Sequence, residues 1–90
     1  MAASNIEIYT WKTCRFCNSA KELLKSKGVP FQEFPIDGDE DAHQKVIERS
    51  GGRRSVPQIF INGRHIGGND DLHDLDKSGE LDRILGGTHA

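Results

Sequence analysis

Thr10-Trp11-Lys12-Thr13-Cys14-Arg15-Phe16-Cys17 holds both cysteines of the chain, two residues apart. An apolar, β-prone run containing Ile6, Ile8 and Tyr9 leads into it. A helical pattern leads out, with Ala20, Leu23 and Leu24 recurring on one face among Lys21, Glu22, Lys25 and Lys27. The cysteines therefore fall where a strand gives way to a helix. The first N–H groups of a helix lack intrahelical partners, and the macrodipole adds partial positive charge there. A thiol with a free pKa near 8.5 is lowered to about 3.5–7.5 at such a site, and only the thiolate attacks a disulfide. Cys14 is the expected nucleophile. Cys17, one turn on, points the same way and is placed to close a disulfide with it.

Structural readings of the pair are weaker. A disulfide closing so short a loop constrains little of the unfolded chain. A structural zinc site usually takes four ligands, and there is no second cysteine pair; His43, His65, His73 and His89 are scattered without ligand spacing. Cys-x-x-Cys between a strand and a helix reads instead as a redox motif of the thioredoxin-like kind.

Working outward, residues 5–10 read as a strand, and Thr13 as the N-cap of a helix running to about Lys27, where Gly28 and Pro30 stop it. Residues 31–36 read as a second strand, at an edge because of Pro35. Asp37-Gly38 is a turn, and Asp39-Glu40-Asp41 opens a second helix with Val46 and Ile47 on its apolar face, ended by Gly51-Gly52. Strand–helix–strand–helix predicts a right-handed parallel crossover. Residues 56–61 are strongly β-prone, and Asn62-Gly63 predicts a hairpin to an antiparallel strand over residues 64–66. After Gly67-Gly68, Asn69 or Asp70 is expected to cap a helix carrying Leu72 and Leu75, and Leu81, Ile84 and Leu85 a last short one. The order βαβα then ββα gives an α/β fold: one four-stranded mixed sheet flanked by helices.

Two further pieces carry chemistry. Pro57 removes a ladder hydrogen bond from an apolar strand; it either opens the strand or forms a cis bond with Val56, turning the backbone toward the cysteines. Backbone left exposed there could pair with an extended peptide. Gly67-Gly68-Asn69-Asp70-Asp71 combines close backbone approach, helix N–H groups for an anion and carboxylates for an ammonium. Together these suit an α-amino acid zwitterion, with an ordinary turn and cap as the alternative. Arg53 and Arg54 are either solvated loop charges or carboxylate binders.

These pieces in this order resemble a glutaredoxin of the small bacterial dithiol type, over nearly the whole chain. The matching residues include Thr13-Cys14-Arg15-Phe16-Cys17, Ser55-Val56-Pro57-Gln58-Ile59-Phe60-Ile61 and His65-Ile66-Gly67-Gly68-Asn69-Asp70-Asp71-Leu72. The resemblance implies a thioredoxin fold, a single domain over residues 1–90, and a disulfide oxidoreductase using glutathione as reductant. It implies catalysis by Cys14 and Cys17. It implies glutathione contacts from Lys12, Arg15, Phe16, Ser55, Val56, Pro57, Asn69, Asp70 and Asp71, with cis Pro57, and one from Gln44 or its neighbour His43. Asp71→Ala is expected to weaken glutathione binding with little effect on melting.

Two positions depart from the family pattern. Arg15 stands where proline is common, and Trp11 where lysine is common, with Lys12 one step nearer the cysteine. Glutaredoxin-like proteins without that proline can share a two-iron two-sulfur cluster between two subunits through the first cysteine and glutathione. Cluster binding as a homodimer is therefore the alternative, with Cys14 its only metal ligand from the chain; the retained Cys17 leans toward the enzyme. Reduction of a small substrate such as arsenate has no sequence feature in its favour. Residues 1–5 lack a basic region, no apolar run could span a bilayer, and the net charge is −2. Those features point to a cytoplasmic protein that does not bind nucleic acid or membrane, and the resemblance implies a monomer that meets glutathione and disulfide-bonded or glutathionylated proteins.

Overall fold

The computed structural model describes residues 5–85. In chain order the elements are β1 (Ile6–Thr10), α1 (Arg15–Ser26), β2 (Gln32–Pro35), α2 (Glu40–Arg49), β3 (Gln58–Ile61), β4 (Arg64–Gly67), α3 (Asn69–Ser78) and α4 (Glu80–Ile84). The four strands form one mixed sheet in the order β2-β1-β3-β4. β2 lies at the edge, parallel to β1, while β3 runs antiparallel to both β1 and β4. This is the architecture expected from the pattern of elements.

The pleat explains which helices cover which face. Ile6 and Ile8 of β1 stand opposite Ile61 and Ile59 of β3, all on one side. They join Ala20 and Leu24 of α1, Leu72 of α3 and Leu81 of α4 in the main core. The alternate residues face α2. Arg49 of that helix sets its guanidinium 3.9 Å from the centre of the Phe60 ring and donates to Glu7 at 2.8 Å and to the Tyr9 hydroxyl at 2.9 Å. Alternating strand residues therefore feed two different layers, one aliphatic and one aromatic and ionic.

Three boundaries differ from the sequence expectation. The cap of α1 is Cys14, not Thr13: the backbone remains extended through Cys14 (φ −145°, ψ 110°) and turns helical only at Arg15. β3 begins at Gln58 rather than Val56, because Pro57 has no N–H to give to a ladder. The cap of α3 is Gly68, not Asn69 or Asp70. A glycine has no side chain to cap with, and the Asp71 carboxylate reaches back instead, accepting from the Gly68 N–H at 2.9 Å. The Asn62-Gly63 turn is as expected, with both residues at positive φ (54° and 81°).

Candidate active site

Cys14 ends the loop that leaves β1, and its position as N-cap gives it a specific partner. Two residues between the cysteines make Cys17 the third residue of α1, whose N–H points back at the cap. Its N–H donates to Cys14 Sγ at 3.2 Å. The Cys-x-x-Cys spacing is thus also the spacing of a helix cap, with sulfur in place of the usual hydroxyl or carboxylate. A hydrogen bond to that sulfur favours its charged form once the thiol is released. The two cysteines are joined as a disulfide, their Cα atoms 5.1 Å apart, within the usual range. Cys17 is fully buried and Cys14 partly exposed. The two sulfurs are therefore unequal in access: an incoming group reaches Cys14 first.

A cleft of about 170 Å³ lies nearby, walled by Phe16, Arg53, Ser55, Val56, Pro57, Gly68, Asn69, Asp70 and Asp71. Phe16, two residues from the nucleophile, is 59% exposed and offers its ring to the cleft. The Val56–Pro57 bond is cis, the second of the two forms open to it in the sequence. A fully buried amide secures this loop from below. Gln58 Nε2 donates to the Ser55 carbonyl at 2.9 Å, so its Oε1 is left as acceptor, and His65 Nε2 donates to it at 2.7 Å. Burial, and then the nearby Arg53 charge, hold the His65 pKa below the ordinary histidine value.

The opposite wall is the β4–α3 junction. Gly67 has φ +125°, and a Cβ there would collide with the Asp71 carboxylate. Gly68 lies close to the Pro57 carbonyl, which a Cβ would meet at 3.4 Å. Asp71 accepts from the Gly68 N–H and from Arg53 Nη2 at 3.1 Å. These bonds, the backbone one foremost, hold its carboxyl below the usual aspartate range. Asp71 therefore shapes the start of α3 as well as the cleft, where the sequence expectation gives the cap to Asn69 or Asp70. Asn69 Oδ1 is buried in the wall without a hydrogen-bond partner among the described residues. A buried acceptor left open costs free energy unless a water or a ligand supplies the donor.

Not every expected residue meets here. Lys12 and Arg15 line a second, open groove together with Cys14. Gln44 is exposed on α2 and lines neither concavity. His43, the alternative at that position, has its Nε2 3.0 Å from the Arg54 carbonyl and its ring at an edge-on 6.3 Å from Trp11. Arg53 is the residue that sequence reasoning left undecided. Nothing in a Gly-Gly-Arg-Arg loop distinguishes Arg53 from Arg54, whereas the fold brings only Arg53 to Asp71.

The chain matches the family model described as Glutaredoxin over residues 6–66. It is 57% identical over 82 residues to Glutaredoxin 3 of Escherichia coli K12, covering 91% of this chain and 98% of that one. It is 55% identical over 83 residues to a probable glutaredoxin of Synechocystis, covering 92% and 94%. Among solved structures, a buckwheat glutaredoxin–glutathione complex superposes with a TM-score of 0.83 at 27% identity, over 91% of this chain and 76% of that one.

Proposed function

The chain belongs to the glutaredoxin family, and we propose that it acts as a glutathione-dependent thiol–disulfide oxidoreductase through Cys14 and Cys17. The observation that carries this reading is the disulfide-bonded pair at the start of α1 beside a cleft that ends in an open buried acceptor.

In the monothiol route the Cys14 thiolate attacks the glutathione sulfur of a mixed disulfide. The old S–S bond breaks, the other partner leaves as thiolate and takes up a proton, and Cys14 carries the glutathione. A second glutathione thiolate then attacks that glutathionyl sulfur, releasing glutathione disulfide and free Cys14. In the dithiol route Cys14 attacks a protein disulfide, Cys17 attacks Cys14 Sγ to release the reduced protein, and two glutathiones reopen the Cys14–Cys17 bond.

Glutathione is a peptide with an α-amino acid at its γ-glutamyl end. The free N–H groups at the start of α3 suit its carboxylate. Asn69 Oδ1 and the Asp70 and Asp71 carboxylates suit its ammonium. Val56, freed from the ladder before Pro57, suits pairing with its cysteinyl backbone, and Phe16 and Ser55 border that stretch. Lys12, Arg15 and Gln44 stand outside this cleft, so any contact they make is at the ligand's periphery. The substrates we assign are glutathionylated and disulfide-bonded proteins, met by a monomer in the cytoplasm. No helix among the described residues is long and apolar enough to cross a membrane. Cluster binding is the less favoured reading, because the retained Cys17 lies where it closes a disulfide with Cys14 and so competes for the one thiolate a cluster would use.

The test is reduction of a small glutathione mixed disulfide coupled to glutathione reductase. Cys14→Ser is expected to abolish turnover. Cys17→Ser keeps turnover of the mixed disulfide and loses reduction of protein disulfides. Full activity of Cys14→Ser on the mixed disulfide would refute the assignment of the nucleophile.

A further inference from the structure

The nucleophile stands between two concavities, and only one of them is accounted for by glutathione. The second is the wider, about 720 Å³ and open to solvent, with Cys14 itself in its wall. Its floor is a stripe of α1: Arg15, Asn18, Ser19 and Glu22 follow one another at helical spacing. Lys12 closes the near end, its backbone N–H held by Asp37 Oδ2 at 3.4 Å.

The charges along this groove are sorted. Lys12 and Arg15 flank Cys14; Glu22 stands seven residues along the helix from Arg15, about 10 Å by helical rise. Lys12 and Arg15 are exposed, and among the described residues neither enters an ion pair. Lys25, Lys45, Arg54, Arg64 and Lys77 are likewise without an ion pair among the described residues, but of these free cations only Lys12 and Arg15 share a groove wall with Cys14. Two exposed cations beside the attacking sulfur, in a wide groove open to solvent, fit a polypeptide bearing negative charge.

We propose that this groove docks the chain segment around a protein substrate's disulfide, and that Lys12 and Arg15 select segments with Asp or Glu next to the target cysteine. The inference rests on the oxidoreductase reading above. The chemistry is the dithiol route: Cys14 Sγ bonds to one substrate sulfur while the other leaves as a thiolate and is protonated from solvent. Cys17 then displaces the docked sulfur, and two glutathiones are oxidised to glutathione disulfide. Acidic segments gain at the docking step, where complementary charge raises the rate of encounter. The preference runs against the molecule's own net charge of −2, which by itself would draw basic substrates.

Two synthetic peptides test this, alike except that the target cysteine of a single internal disulfide is flanked by Glu in one and by Lys in the other. Their reduction by the full-length protein is followed with glutathione and glutathione reductase, at low and at high salt. The Glu peptide is expected to be reduced about tenfold faster at low salt, with the ratio shrinking as salt screens the groove. In the double variant Lys12→Gln, Arg15→Gln the ratio falls toward one. Any change these substitutions make to Cys14 itself alters both rates alike and cancels in the ratio. Equal rates for the two peptides, a faster Lys peptide, or a ratio unchanged in the double variant would overturn the proposal. Turnover of a small glutathione mixed disulfide alongside such a result leaves the oxidoreductase reading standing; its absence overturns both.

Discussion

Arg15 occupies the first helical position after the nucleophile, the place where the family pattern noted in the sequence has proline. The two residues act through different physics. Proline presets φ for the first turn and gives up an N–H that has no helical partner anyway. Arginine brings a permanent positive charge near the Cys14 sulfur, which already accepts the Cys17 N–H. Arg15→Pro is therefore expected to raise the Cys14 pKa. Arg15 is exposed, so salt screens the effect over about 8–10 Å and keeps it modest. Thiolate absorbance against pH, with Cys17→Ser in both proteins to isolate one thiol, measures it. A pKa equal or lower with proline would assign the nucleophile's acidity to the helix terminus alone.

At the scale of an element, the start of α3 is where structure and binding meet in one side chain. Asp71 substitutes for the capping side chain that Gly68 lacks, and its bond to Arg53 ties α3 to the loop before β3. Both partners are nearly half exposed, so the ion pair itself contributes little; the backbone bond is the larger part. Asp71→Ala should cost about 1 kcal/mol, the usual scale of a lost cap. For a chain of this size that lowers the melting temperature by about 4–8 °C. It should also raise the Michaelis constant for glutathione more than it changes kcat. A melting temperature unchanged by the substitution would show that Gly68 needs no carboxylate. An unchanged Michaelis constant would remove Asp71 from the binding wall.

Across the whole molecule, the ionic groups predict how the fold responds to acid. Hydrogen bonding by Arg49 lowers the pKa of Glu7, and hydrogen bonding by Thr10 that of Glu33, each from 4.5; Asp71 is lowered from 3.8. Each carboxylate stabilises the fold above its unfolded value, and that stability is lost as pH falls through the lower folded value. His65 acts earlier. Its folded pKa lies below 6.5, so the unfolded chain binds a proton first and stability declines as pH drops beneath 6.5. The melting temperature should thus fall in two stages, a shallow one below about pH 6.5 and a steep one below about pH 4.5. His65→Gln keeps a donor for Gln58 and should flatten the first stage alone. Calorimetry from pH 7.5 to pH 2.5 reads both stages, roughly bracketing the ordinary pKa values involved. A first stage that persists in His65→Gln would place it on another group.

The sequence alone determined the order of elements, because their signals are local. Apolar alternation marks Ile6 and Ile8, helical spacing marks Ala20 and Leu24, and Asn62-Gly63 sets a hairpin by the φ its residues tolerate. The cysteine spacing placed the nucleophile at a helix start for the same reason. Where the alternatives depended on atoms far apart in the chain, sequence was silent. Asp71 became structural only because Gly68 and Arg53 come to it, one from three residues away and one from across the fold. Gln58 reads as a strand residue, yet its burial under Ser55 and beside His65 makes it the support of the Pro57 loop. Position in the chain gives Lys12 and Arg15 only as neighbours of Cys14, while tertiary structure lines them with it along one open groove. Secondary structure follows from neighbours within a few residues; the partner of a charge or a buried amide is decided by packing, which brings together residues that no local pattern connects.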